Sequence, residues 1–331
     1  MAKKSSTINV WIFIALVFII SLSIKYLSQK GINIPISAIP IFVGLLGFIF
    51  WVFVYQSPIA EIYSRVYPYK KLKLWGAFSA FIFFEYILAW GLYTKQLELV
   101  YEHFYSIIAI FIGVIAFYFS FVRMKVSLRY LFLATFVPIL ALGSAIGLGK
   151  YFGFILFFTP QEDVVGIVFL NTSYWALFYI LYQLICEEPA FRGFLVQRLM
   201  SRGRTQAIIV SSFIFATWHM MLNIFEKVNV SQLILGLPES FITGCFLALL
   251  FIKGKNLLIA AISHGIITGL KISLFAGNEH PGLSQYFQMI GPAAESKFII
   301  LWLGCLLIGT ILVLVTPEKR KPQIVFHKVR R

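Results

Sequence analysis

Glu187 and Glu188 are adjacent carboxylates in an otherwise apolar run, residues 175–200, which read WALFYILYQLICEEPAFRGFLVQRLM. A carboxylate in the middle of a membrane costs on the order of a few kcal/mol. Two side by side, with Arg192 one turn later, ask for more than packing. Glu188 and Arg192 stand at i and i+4 and face each other on one side of a helix. Glu187 is rotated by about 100° from Glu188 and is free to face a cavity. Two later apolar segments each carry a histidine, His219 and His264. Carboxylates and imidazoles held in hydrocarbon point to acid/base chemistry within the bilayer. Two carboxylates in different surroundings can divide the work, one as base and one as structural anion. Amide hydrolysis needs a base for water, a proton donor for the leaving amine and donors for the oxyanion. Glu187 can supply the first two in turn, and the imidazoles the third. One Glu and two His also make a zinc set. The chain lacks H-E-x-x-H, however, and these groups come from separate segments, so metal-free chemistry without a cofactor is the preferred reading and zinc the alternative.

The elements that must position these groups are membrane helices. The chain has 331 residues, 60% of them hydrophobic and only 12% charged, with 35 Phe and a mean hydropathy of +0.88. Soluble proteins carry roughly 45–50% apolar and about 25% charged residues. The formal net charge of +15 does not indicate nucleic acid, because the basic residues sit in short loops between apolar runs. A span needs about 20 apolar residues. The pattern predicts an all-α, polytopic helix bundle of ten spans: 9–27, 34–55, 74–94, 104–122, 130–149, 172–200, 206–222, 232–252, 256–274 and 297–316. Residues 151–171, cut by Pro160 and the polar Gln161, Glu162 and Asp163, read as an interfacial or re-entrant segment. With the N-terminus in the cytosol, 21 of the 28 Lys and Arg fall on the cytosolic side, including every arginine. That bias predicts both termini in the cytosol. The basic start and apolar stretch of the N-terminus read as an uncleaved signal anchor, since no A-x-A site follows. The basic tail after Thr316 reads as stop-transfer and a contact for lipid headgroups.

Depth supports convergence. At 1.5 Å per residue, Glu187 lies about 20 Å from Met200, His219 about 22 Å from Arg204, and His264 about 14 Å from Lys255. Three groups on three helices, at mid-membrane or in its cytosolic half, can meet. Phe215, His219 and Asn223 follow one another at i+4 and share a helix face. Pro189 removes a backbone hydrogen bond and frees the carbonyl of Ile185, which leaves room for a water or a peptide.

Plainer roles fit several other residues. Glu187, Glu188 and Arg192 could form a buried structural ion-pair network, and either histidine a satisfied core residue. Cys186, Cys245 and Cys305 lie within expected spans and read as packing. Gly143 and Gly147 have the spacing of a close helix contact. Glu85 is an intramembrane acid without a matching motif, and Glu239 is a further polar group beside Pro238. Lys271 is expected to snorkel to an interface. His103, His280 and His327 fall in loops.

The order E-E-x-x-x-R (Glu187, Glu188, Arg192), F-x-x-x-H (Phe215 to His219) and a histidine in a later span (His264), with the context Phe191-Arg192-Gly193-Phe194, resembles the CPBP family, also called Abi. That family includes the CAAX prenyl endopeptidases. The resemblance covers roughly residues 165–275 and implies a glutamate-dependent intramembrane peptidase. By motif position Glu187 and His219 would activate a water, with Glu188 and Arg192 beside them. His264 and residue 268 would hold the oxyanion. Residue 268 is Thr268 here, where the family pattern has Asn or Asp. A lost oxyanion donor costs roughly 100–1000-fold in rate, so Thr268 substitutes imperfectly, or Asn223 serves instead, or the protein is slow or inactive. The chain divides accordingly into N-terminal transmembrane helices (1–150), a catalytic core (165–275), and a last span with a basic tail (297–331). The expected substrate is a peptide or membrane-anchored protein, met in the lipid bilayer, and the expected location is the plasma membrane of a prokaryote. Two other readings are a membrane scaffold or regulator that keeps the fold without the catalysis, and a proton-coupled carrier. The carrier reading lacks the inverted repeat that such proteins carry.

Overall fold

In hydrocarbon every backbone N–H and C=O must be satisfied within the chain, which selects helices for long apolar segments. A computed structural model of the protein describes residues 2–30, 38–50, 126–157, 164–224, 230–275, 287–290 and 293–317. Its main helices are α1 (Ala2–Gln29), α2 (Ala38–Ile49), α3 (Leu128–Tyr151), α4 (Val164–Ile185), α5 (Arg204–Ile224), α6 (Val230–Gly254), α7 (Leu257–Phe275) and α8 (Ala294–Val315). Five segments are long and apolar enough to cross a membrane: Val10–Gln29, Leu128–Tyr151, Arg204–Ile224, Leu233–Gly254 and Ala294–Val315. The expected spans 74–94 and 104–122 lie outside the described residues, as do Glu85, His103, His280 and His327.

Two expectations change. Residues 151–171, read as interfacial or re-entrant, are not a single irregular segment. Ile155–Phe157 form a short strand that pairs antiparallel with Phe287–Met289, and helix α4 already begins at Val164. The all-α bundle thus carries one small two-stranded ribbon among its described residues. The span read as 172–200 is not one α-helix either. It ends at Ile185, turns at Cys186 and Glu187, and continues as a π-helical segment, Pro189–Val196. Pro189 cannot donate to the preceding turn. The wider π winding that follows is a form found mostly at functional sites.

The helices pack through small residues, as expected where no hydrophobic effect drives association. Gly265 and Gly269 on α7 lie flat on α4, so close that a Cβ at either position would overlap the backbone of Ile180 or Ala176. Gly244 on α6 rests on Ser212 of α5, where an added Cβ would come within 3.0 Å. At Gly143 and Gly147, where a close contact was expected, no described residue lies within 4 Å of an added Cβ. Both face outward from α3.

One end of the bundle is tied by polar contacts. Lys253 is buried on α6 and donates to the last carbonyls of α8, those of Val313 at 2.8 Å and Thr316 at 2.7 Å among them. These carbonyls have no partner within their own helix, and a cation there also opposes the helix dipole. Arg129 donates to the carbonyl of Pro317 at 3.1 Å. The start of α3, the end of α6 and the end of α8 therefore share one end of the molecule.

Candidate active site

The break between α4 and the π segment sets Glu187 and Glu188 in the centre of the bundle, 3% and 0% exposed. Helix α2 closes over the break. A Cβ on Gly44 would overlap the carbonyl oxygens of Ile185 and Cys186, and one on Gly47 would overlap Ala190. The room that Pro189 was expected to open beside the Ile185 carbonyl is thus filled by the backbone of α2. Gly44→Val is expected to cost about 1–3 kcal/mol of stability by forced overpacking. Gly143→Val, which meets no described residue, should change it by under about 0.5 kcal/mol. Thermal unfolding in detergent would show the contrast, and equal effects would contradict this packing.

Three groups converge on the two carboxylates from different elements. His219 of α5 brings Nε2 to 3.5 Å from Glu187 Oε2, and His264 of α7 brings Nε2 to 3.8 Å from the same oxygen. Both separations exceed a direct hydrogen bond, so Oε2 faces two imidazoles without being consumed by either. The second nitrogen of His264, Nδ1, lies 2.8 Å from Glu188 Oε1. Arg192 Nε approaches Glu188 Oε2 at 3.4 Å from the π segment. Glu188 is therefore the inner anion, held between Arg192 and His264. Glu187 is the outer one, turned toward the histidines.

Exposure differs within the group. The His219 side chain is 29% exposed, against 4% for that of Glu187 and 6% for that of His264. His219 thus forms the wall of the site that meets the surroundings. Phe215, one turn before it, fills the space behind. Its ring stands edge-on to His219 with centroids 4.4 Å apart, and 5.8 Å from His264. The Arg192 guanidinium lies 4.4 Å from the Phe215 ring centre. Trp218 backs His219 at 4.8 Å and is itself fixed by a hydrogen bond from its ring N–H to Ser21 of α1.

The structure thus brings Glu187, Glu188, Arg192, Phe215, His219 and His264 into one cluster. Asn223 and Thr268 each stand four residues beyond their histidine and are half-buried. Asn223 is turned toward Gly236 of α6. Lys271 does not simply snorkel: it pairs with Glu239 of α6, whose carboxylate also accepts the Trp302 ring N–H at 3.0 Å. The three cysteines are free. One neighbour of the cluster was missed from the sequence. Gln183, buried on α4, donates to Glu187 Oε1 at 3.1 Å. The signal was present, since Gln183 and Glu187 are i and i+4.

A membrane-embedded helical protein with a buried carboxylate–imidazole cluster at a broken helix is the class that fold and site define. Residues 169–270, which carry the whole cluster, match the family model of the type II CAAX prenyl endopeptidase Rce1-like proteins. The match spans under a third of the chain and agrees with the resemblance read from the motifs. No curated protein and no solved structure matches the chain.

Proposed function

We propose that the protein is an intramembrane endopeptidase that hydrolyses a peptide bond in a membrane-associated peptide or protein, using water activated by Glu187 and His219. The observation that carries this reading is the pair of imidazoles from two different helices facing Glu187 Oε2. A water between them would give its proton to Glu187 and attack the carbonyl carbon. His264, with Nδ1 engaged by Glu188, presents only Nε2 to the reaction. For Nε2 to donate to an oxyanion the ring must carry both protons, and Glu188 supplies the counter-charge. Thr268, one turn beyond His264, would be the further donor, with Asn223, one turn beyond His219, as the alternative. Arg192 and Phe215 hold Glu188 and the imidazoles in place. The family match supports a CAAX-type peptidase in general, while the glutamic mechanism is our reading of the geometry.

The wider topology belongs to the same proposal: ten spans, with both termini on the cytosolic side of a prokaryotic plasma membrane. The meeting of Arg129, Lys253 and Pro317 at one end of the bundle supports placing those loops on one side. A second reading, a scaffold or regulator with little catalysis, is motivated by Thr268 standing where the family pattern has Asn or Asp.

The full chain in proteoliposomes, incubated with a prenylated CAAX peptide and its unprenylated counterpart, should release a peptide whose mass identifies an internal cut. Turnover should survive a metal chelator. Loss with the chelator and recovery with added zinc would replace the metal-free mechanism with a zinc one. Absence of any cut in either peptide, or in the membrane peptides of the host, would favour the scaffold.

A further inference from the structure

The two oxygens of Glu187 have different surroundings. Oε1 accepts the Gln183 Nε2 hydrogen bond at 3.1 Å, whereas Oε2 is the atom nearest both His219 and His264. Gln183 is 3% exposed, so neither solvent nor lipid competes for its amide. Amide oxygen and nitrogen are assigned from their neighbours, and here chemistry decides. Turned over, the amide would set its carbonyl against a carboxylate oxygen, two acceptors face to face. The backbone gives the reason an anchor is needed. Helix α4 ends at Ile185 and Glu187 lies in the turn that follows, where regular helical neighbours no longer fix the side chain. Gln183, one turn back, is still on the regular helix.

We propose that Gln183 is a positioning residue that gives the two oxygens of Glu187 different tasks. It ties Oε1, and so reserves Oε2 for the reacting water. This rests on the reading of Glu187 as the base. In the forward step the water oxygen bonds to the substrate carbonyl carbon and one water proton moves to Oε2. On collapse the C–N bond breaks and that proton passes to the leaving nitrogen, returning Glu187 to the carboxylate. Oε1 keeps the Gln183 hydrogen bond throughout. A donor already bound to Oε1 makes it the poorer site for the proton, which therefore stays on the oxygen beside the histidines.

The test is Gln183→Met, which keeps length and removes the donor, in the full chain in proteoliposomes beside wild type and Glu187→Gln. The probes are the prenylated CAAX peptide and its unprenylated counterpart. Misplacing the base by loss of this tie should lower kcat about 10–100-fold, with KM unchanged, beside a lowered thermal midpoint from the donor lost to a buried carboxylate oxygen. A merely structural amide would move the midpoint and spare kcat. In infrared difference spectra the carboxylate band assigned to Glu187 by its absence in Glu187→Gln should shift in Gln183→Met. A wild-type kcat in Gln183→Met, with Glu187→Gln inactive, would overturn the inference and leave the peptidase reading standing. Turnover by Glu187→Gln would bring down that reading and the inference with it. If wild type cuts neither peptide, the infrared band decides, and an unmoved band overturns the proposal.

Discussion

Glu187→Gln should abolish peptide hydrolysis while the protein remains folded and in the membrane. The substitution is nearly isosteric. It keeps a side chain able to meet Gln183 and the two imidazoles, and it removes the group that can take a proton from water. General-base catalysis is worth up to about 10,000-fold, so turnover should fall by that order. The thermal midpoint should move little, because Glu187 is the outer carboxylate and the inner ion pair of Glu188 with Arg192 is untouched. His219→Ala should fail in the same way, since its Nε2 stands 3.5 Å from the same oxygen. Peptide profiles of the host carrying wild type or Glu187→Gln would identify the substrate as the species that accumulates. Cleavage retained in Glu187→Gln would refute the mechanism. An unchanged cellular phenotype in that variant, together with no cleavage by wild type, would establish the scaffold reading.

Removal of Arg192 should have the largest effect on stability. Arg192 is 1% exposed and Glu188 fully buried, so Arg192→Met leaves a carboxylate in the interior with His264 as its remaining side-chain partner. Breaking a buried pair from one side costs roughly 3–5 kcal/mol. The double variant Arg192→Met with Glu188→Gln removes both charges and should recover most of that loss, because replacement of a whole buried pair is often close to neutral. Activity should not recover with it. Glu188 also fixes His264 through Nδ1 at 2.8 Å, and without that anion the imidazole loses its orientation. Thermal unfolding and turnover measured on the same three proteins separate the two roles. If the single and double variants are equally unstable, the ion pair is not what holds this region.

The motif residues were legible because they break the chemistry of their surroundings. A carboxylate pair, an arginine and two histidines stand out where nearly everything else is Leu, Ile, Val or Phe, and helical rise alone placed three of them at compatible depths. Helix boundaries were legible for the same reason: the runs 130–149, 206–222 and 232–252 fall within α3, α5 and α6. Spans that pack through backbone contact were harder. Glycine spacing at 143 and 147 looked the same as spacing at 265 and 269, and only the second pair meets another helix among the described residues. Nothing in a one-dimensional pattern says which face of a helix has a neighbour. The short ribbon between residues 155–157 and 287–289 was invisible because its partners are far apart in sequence and each strand is only three residues long.

By itself the sequence determined the membrane class and the ionisable side chains on which the proposed chemistry draws, because hydrophobicity and ionisable groups act at the level of single side chains. The tertiary structure alone decided which oxygen of Glu187 faces the imidazoles, that Glu188 rather than Glu187 pairs with His264 Nδ1, and that Gln183 holds the other oxygen. It also decided that α2 seals the broken helix through Gly44. Those outcomes depend on how helices rotate and approach one another, and that is set by backbone packing between segments far apart in the chain.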